Sequence, residues 1–456
     1  MFSNKKLAVA VSGAVLLMAG QCALADSTTD IVDALVSKGV LTEEEGKLIS
    51  KGHETKKKAD GTVSFKDGFK LNSGDGKADF AITGRIQADY RWFDTPESTS
   101  LSNAEGGNAD TFDIRRAYLT AKGKYRNTSF DATLDKGTLK YYWLEYAVAE
   151  SFKIRFGQYK TPMGFETNTS SRWGDFTERD FTSYLQASIN KGIMIHGVPS
   201  TGLTYAVMAS NGGLVYEEGS GTTIETNNNA DGKSVTGRLT ANFAEIMGNK
   251  DNILHVGVSA GYDSNLPTKS AGITLGTNAK GTTFFSSGSI ANPDVRRLGF
   301  EAVAAFGPVK VQSEFNSMYI DSSSAISKEL TAYYIGASYM LTGENYSGAY
   351  KNGLMDRMTP KNSYTGLGSS GWGAWEIGAR YSNFDGSDFA STIVNGFTTG
   401  ANSYTVGVKW IADPNTRFLF NYIKTDFDTP VSQGLTVLPA TATSEKAFNF
   451  RAQFDF

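Results

Sequence analysis

From about residue 77 to the carboxyl terminus, apolar and polar positions alternate with a period of two. Phe80, Ile82, Gly84, Ile86, Ala88, Tyr90 and Trp92 hold one set of positions; Thr83, Arg85, Gln87, Asp89 and Arg91 hold the other. Successive side chains of a strand point to opposite faces, so this run predicts a strand with an apolar and a charged face. The pattern recurs in Phe152, Ile154 and Phe156 against Lys153 and Arg155. It recurs in Val309, Val311 and Phe315 against Lys310, Gln312 and Glu314. Counting such runs predicts strands over 78–93, 110–124, 127–136, 139–149, 152–159, 190–198, 202–211 and 232–245. Eight more follow over 251–263, 294–306, 308–322, 328–342, 372–384, 401–412, 415–427 and 443–456. An even strand count with one face for lipid and one for water is the signature of a bacterial transmembrane barrel.

The connections fall into two kinds. Tight ones include Arg126-Asn127, Gly137-Thr138, Ala149-Glu150 and Asp413-Pro414. Long ones, rich in Gly, Ser, Asn and Thr, cover 94–109, 160–189, 212–231, 264–293, 343–371 and 428–442. Short periplasmic turns and long extracellular loops are expected of such a barrel. In the last run, Phe448, Phe450, Ala452, Phe454 and Phe456 alternate with Asn449, Arg451, Gln453 and Asp455 up to the final residue. That run is the expected closing strand and the expected signal for the barrel-assembly machinery.

The first 58 residues differ. Lys5 and Lys6 precede the mostly apolar stretch Leu7–Ala19, and Ala23-Leu24-Ala25 fits a cleavage site, so residues 1–25 read as a signal peptide. Residues 26–58 read as a helical periplasmic preface and linker. Ile31, Leu35 and Val36 share one helical face, Gly39 ends the helix, and Thr42 with Glu45 forms a capping-box pattern. Lys56-Lys57-Lys58 is a solvated charge run, and the barrel is assigned to residues 59–456.

Composition agrees with this division. The chain has 28 phenylalanines, 21 tyrosines, 6 tryptophans and 49 glycines but 10 prolines, and mature residues nowhere reach the roughly 18 consecutive apolar positions of a transmembrane helix. The formal charge is −3, and loss of Lys5 and Lys6 with the signal makes it −5. Such a balance argues against nucleic acid as a partner. Cys22, the one cysteine, lies in the signal, so the mature chain has no thiol for a disulfide or a thiolate-bound metal. His53, His196 and His255 are isolated in sequence, and no metal site or cofactor is expected.

Leu35-Val36-Ser37-Lys38-Gly39-Val40-Leu41-Thr42 with Glu45 carries a family likeness, and three later segments strengthen it. They are Asp113-Ile114-Arg115-Arg116-Ala117, the run Gly157-Gln158-Tyr159-Lys160-Thr161-Pro162-Met163-Gly164-Phe165-Glu166, and Gly371-Trp372-Gly373-Ala374-Trp375-Glu376-Ile377-Gly378-Ala379-Arg380-Tyr381-Ser382. In this order the chain resembles the phosphate-selective porins O and P. The resemblance implies a sixteen-stranded barrel, commonly a homotrimer, in the outer membrane of a Gram-negative bacterium. It implies lipid and lipopolysaccharide around the wall, and passive diffusion of small anions such as phosphate. It also implies that a long loop, here 160–189, folds inward.

Porins make and break no bond, so no catalytic residue is expected. Rings of Arg or Lys favour anions, and the arginine fork suits phosphate oxygens. Alternation assigns Arg85, Arg91, Arg116, Lys153, Arg155, Arg238, Arg297, Lys310, Arg380, Lys409 and Arg451 to the lumen; Arg172 and Arg179 lie on the 160–189 loop. Asp89, Glu145, Glu301, Glu314, Glu376 and Asp455 share the lumen face, and Glu166, Asp175, Glu178 and Asp180 lie on the loop. Those acids leave a general non-selective pore, or an anchoring barrel with a plugged lumen, as alternatives. A barrel hydrolase needs an outward-facing histidine, and His255 alternates toward the lumen. Trp372 and Trp375 fit an aromatic girdle better than a sugar-stacking slide.

Overall fold

The computed structural model describes residues 32–50 except 34, 61–94 except 66 and 67, 110–212 except 188, 232–264, 266, 272–322, 326–432 and 441–456. The expected signal peptide and the lysine linker lie outside the described residues. Two compact units are distinguished, one of residues up to Ser64 with Lys70–Phe80, the other of Phe65–Phe69 with Ala81–Phe456.

In the first unit a helical turn ends at Gly39, whose φ of 71° suits glycine. The amides of Gly39 and Val40 reach back to the carbonyls of Val36 and Leu35, a Schellman closure. Helix 43–50 follows, opened by reciprocal bonds: Thr42 N donates to Glu45 Oε2 at 2.9 Å and Glu45 N to Thr42 Oγ1 at 3.2 Å. Thr62–Ser64 then pairs antiparallel with Lys70–Asn72.

The second unit is a barrel. Its first eight strands are β1 (Ala78–Phe93), β2 (Thr111–Tyr125), β3 (Thr128–Asp135), β4 (Thr138–Ala149), β5 (Phe152–Lys160), β6 (Ile189–Ser200), β7 (Leu203–Ser210) and β8 (Lys233–Asn242). The other eight are β9 (Asn252–Ser264), β10 (Asp294–Phe306), β11 (Val309–Ser322), β12 (Ile326–Met340), β13 (Ala374–Asp385), β14 (Gly400–Ile411), β15 (Thr416–Ser432) and β16 (Thr441–Asp455). Neighbours run antiparallel in sequence order. β16 returns to β1 and closes the sheet, with Phe450 opposite Tyr90, Arg451 opposite Asp89 and Gln453 opposite Gln87. Closure satisfies backbone groups that an open edge would leave unpaired in hydrocarbon. Side chains reinforce the seam: Arg451 bonds Asp89 at 2.6 and 2.7 Å, and Gln87 Nε2 donates to Gln453 Oε1 at 2.6 Å.

Alternation holds as the sequence indicates. On β10, Arg297, Glu301, Val303 and Ala305 are buried while Leu298, Phe300 and Phe306 are exposed. Outside, Trp375, Trp410 and Phe418 stack with centroids 5.6 and 5.3 Å apart, near the ends of β13, β14 and β15. Among the described residues no helix is long and apolar enough to cross a membrane.

The connections correct one expectation. Antiparallel pairing puts Gly137-Thr138 at the end of the barrel that bears the long loops. It puts the connection between β12 and β13, residues 341–373, at the end that bears the tight turns and Phe456. Length alone therefore does not mark the side. That long connection folds into the lumen: Tyr346, Ala349, Met355 and Met358 pack with Phe165, Ile253, Val303, Ala305 and Met340. At the other end, Phe181, Leu185, Phe284, Phe285, Phe384 and Phe389 form a second apolar cluster.

Gly157, inside β5, has φ 129°, and a Cβ there would lie 2.2 Å from the Tyr142 carbonyl oxygen on β4. Gly157→Ala should therefore destabilise the barrel by about 1–3 kcal/mol through strain at that pairing. Urea unfolding in lipid, followed by the gel-mobility shift between heated and unheated protein, checks this; an unchanged midpoint contradicts it.

The lumen loop and its ion pairs

Residues 161–187 leave β5, cross the lumen and return at β6; most are buried and none is exposed. Local bonds shape the loop first. Asn168 Nδ2 donates to the carbonyls of Met163 at 2.7 Å and Gly164 at 3.0 Å. Lys160 Nζ donates to the Thr167 carbonyl at 2.6 Å, at the end of the single helical turn Phe165–Asn168. Glu314 on β11 then receives the start of that turn: the amides of Phe165 and Glu166 donate to its two oxygens at 2.9 and 2.7 Å. Tyr334 Oη adds a third bond to the same carboxyl at 2.9 Å.

The loop acids meet cations of β2, β11, β13 and β16. Glu178 accepts from Arg115 at 2.6 and 2.9 Å and from Arg451 at 2.9 Å. Asp175 takes Lys310 at 2.6 Å, and Glu166 takes Arg380 at 3.0 Å. Burial opposes the charge of Glu178, but Arg115 and Arg451 outweigh it and hold its carboxyl well below the usual range. Burial raises the carboxyls of Glu166 and Asp180 instead; Arg380 opposes the rise at both, and the charge of Asp180 adds to it at Glu166.

The thirteen cations singled out in sequence all sit on the lumen side, but in different company. Lys409 pairs with Glu376 at 2.8 Å, Arg91 with Asp89 at 3.0 Å, Arg238 with Glu301 at 3.1 Å and Arg297 with Asp263. Arg155 pairs with Glu145, Lys153 with Glu150 at 2.6 Å, and Arg172 with Asp455 at 3.3 Å. Arg116 Nη1 donates to Gln87, and Arg179 donates to the carbonyls of Glu166 and Thr169. His196 and His255 serve the same lattice, bonding Glu145 and Glu301 at 2.8 Å.

Arg85 differs. Its guanidinium is 2% exposed and bonds Ser171 Oγ at 3.0 Å, and its Nε has no partner among the described residues. Arg85, Lys153, Arg155, Arg172 and Arg238 line a cavity of about 540 Å3 between the loop and strands β1 to β8. Lys122 and Lys160 complete its seven cations, against one carboxylate, Asp131.

Two buried arginines escaped the sequence reading. Arg417 lies over Trp173, 4.4 Å from the ring centroid. Its alternation with the outward Phe418 and Phe420 is the signal that would have placed it in the lumen. Arg115 breaks parity: Phe112, Ile114 and Leu119 are exposed, yet Arg115 and Arg116 are both buried. A strand read with one fixed parity sends one of that pair outward.

The model of the family described as phosphate-selective porin O and P matches residues 80–456. The chain belongs to that family. It is an outer-membrane porin of a Gram-negative bacterium. Porin O of Pseudomonas aeruginosa is 26% identical over 409 residues, covering 81% of this porin and 88% of that protein. An uncharacterized protein of Aquifex aeolicus is 24% identical over 436 residues, covering 88% and 92%. An anion-selective porin from Comamonas acidovorans superimposes with a TM-score of 0.49 at 10% identity, covering 83% of this porin and 100% of that chain.

Removing the Glu314 carboxyl should free the loop tip. Glu314→Ala is expected to destabilise the loop by about 2–3 kcal/mol, because two buried amides lose their acceptor. Open-channel current noise should rise, and protease should cut within 161–187. Glu314→Gln, which keeps one acceptor oxygen, should fall between Ala and wild type. Quiet channels and an uncut loop in Glu314→Ala would contradict the role.

Proposed function

We propose that this porin passes small anions, phosphate-sized oxyanions among them, by passive diffusion through a lumen narrowed by residues 161–187. The observation that carries the reading is a cavity lined by seven cations and one carboxylate, in which Lys153, Arg155, Arg172 and Arg238 are held by acids and Arg85 is buried with no ion pair among the described residues. Fixed cations raise the local concentration of anions and exclude small cations, whatever the net charge of the chain. The family's description as phosphate-selective and the resemblance to Porin O support the same solute class. The passage involves no chemical step.

Weak selectivity is the second reading, favoured by arginines such as Arg115 and Arg380 whose charge is cancelled by loop acids. A homotrimer, with lipopolysaccharide outside and the assembly machinery reading the last strand, belongs to the proposal too. So do export through residues 1–25, a periplasmic segment over 26–58 and a barrel over 59–456.

The reversal potential in a potassium chloride gradient tests the sign. The reading expects an anion-to-cation permeability ratio above roughly 3, and a ratio below 1 overturns it. Added phosphate should reduce chloride current with saturation; a strictly linear response favours the general pore.

Acidification gives a further test. Glu166 and Asp180, whose carboxyls are raised, take up protons before Glu178, whose carboxyl is lowered. Protonation leaves Arg380 less compensated while the clamp of Glu178 on Arg115 persists. Anion preference should therefore increase as the solution is acidified from neutrality. A reversal potential that is flat or falls on acidification contradicts the assignment.

A further inference from the structure

The cavity beside the loop is aromatic as well as cationic. Tyr118, Tyr141, Trp143 and Tyr159 line it together with Arg85 and Arg155. The Arg85 guanidinium lies over Tyr118, 4.1 Å from the ring centroid, and that of Arg155 over Trp143 at 4.2 Å. Tyr141 meets Tyr118 edge-on at 6.4 Å. Ring faces fix the two guanidinium planes while an apolar wall continues beside them.

Two donors on this lining lack partners. Arg85 Nε and the Tyr118 hydroxyl are both buried and bond to nothing among the described residues. Arg85 is 2% exposed and Tyr118 8%, and none of the described carboxylates makes an ion pair with Arg85. A buried charge and a buried hydroxyl left unpaired are both costly, and a ligand carrying acceptor oxygens would relieve both. Arg155 differs, since Glu145 already holds it.

An inorganic oxyanion draws on N–H and O–H donors and gains nothing from ring surface. A carboxylate on an aryl ring uses both kinds of surface: its oxygens take the Arg85 and Tyr118 donors, and its ring packs on the aromatic wall. We propose that this cavity is a binding site for aryl carboxylates, which the channel admits alongside small inorganic anions. The proposal rests on the anion-channel reading.

The test uses the full-length porin in planar bilayers, with benzoate, acetate, phosphate and uncharged benzamide as probes of ion current. Benzoate should block at a concentration at least about tenfold below acetate, and benzamide should not block. Arg85→Gln should abolish the benzoate block, and Trp143→Leu should cut the advantage over acetate to below about threefold. Tyr118→Phe keeps the ring and loses the donor, so it should retain a reduced advantage. The gel-mobility shift on heating shows that each variant is folded, and reading all three keeps the test valid if one fails to fold. Equal block by benzoate and acetate in an anion-selective channel overturns this proposal alone. Equal block by benzamide overturns it too, because the charge would then be idle. A cation-selective channel overturns the reading beneath it.

Discussion

A charge buried inside a protein wall needs a counter-charge at close range, and in this porin the lumen loop delivers it. Arg115 and Arg451 come from β2 and β16, and both close on Glu178. Removing one partner of such a buried pair is far more costly than breaking a surface pair. The position of the loop is thus tied to the seam of the barrel, since Arg451 also holds Asp89 across it. Closure, loop placement and the charge of the lumen are one problem with one solution.

That solution is asymmetric. Loop acids meet Arg115 on β2, Lys310 on β11, Arg380 on β13 and Arg451 on β16. On the cavity lining, Glu150, Glu145, Asp455 and Glu301 hold Lys153, Arg155, Arg172 and Arg238, while Arg85 makes no ion pair among the described residues. A chain with a small negative total can therefore present a positive pore, because the field that a permeating ion meets is local. The connection between β12 and β13 adds the floor: Asn352 and Leu354 line the same cavity, and the Gly353 carbonyl takes Arg238 Nη2 at 3.0 Å.

Much of the barrel was legible because its constraint is periodic. Lipid on one side and polar groups on the other impose a period of two, and strand bounds such as Ala78–Phe93 and Asp294–Phe306 follow from it directly. The closing strand was legible for the same reason. What the period does not encode is which cation meets which acid. Arg380 and Glu166 are 214 positions apart and Arg451 and Glu178 are 273 apart, so nothing local announces either pair. The inward course of 341–373 was hidden too. Its signal is the loss of polarity at lumen positions such as Val303, Ala305 and Met340, where apolar residues await an apolar partner. Arg115 was hidden by a slip of parity within its own strand.

Arg85, buried beside the cavity with no ion pair among the described residues, sets the sign of selectivity, while cations that meet loop acids are neutralised by them. Reversal potentials in one salt gradient, for Arg85→Gln and for the paired change Arg380→Gln with Glu166→Gln, test it most directly. Arg85→Gln should lose much of its anion preference, and the paired change should stay close to wild type. Equal shifts in the two channels, or no shift on losing Arg85, would contradict it.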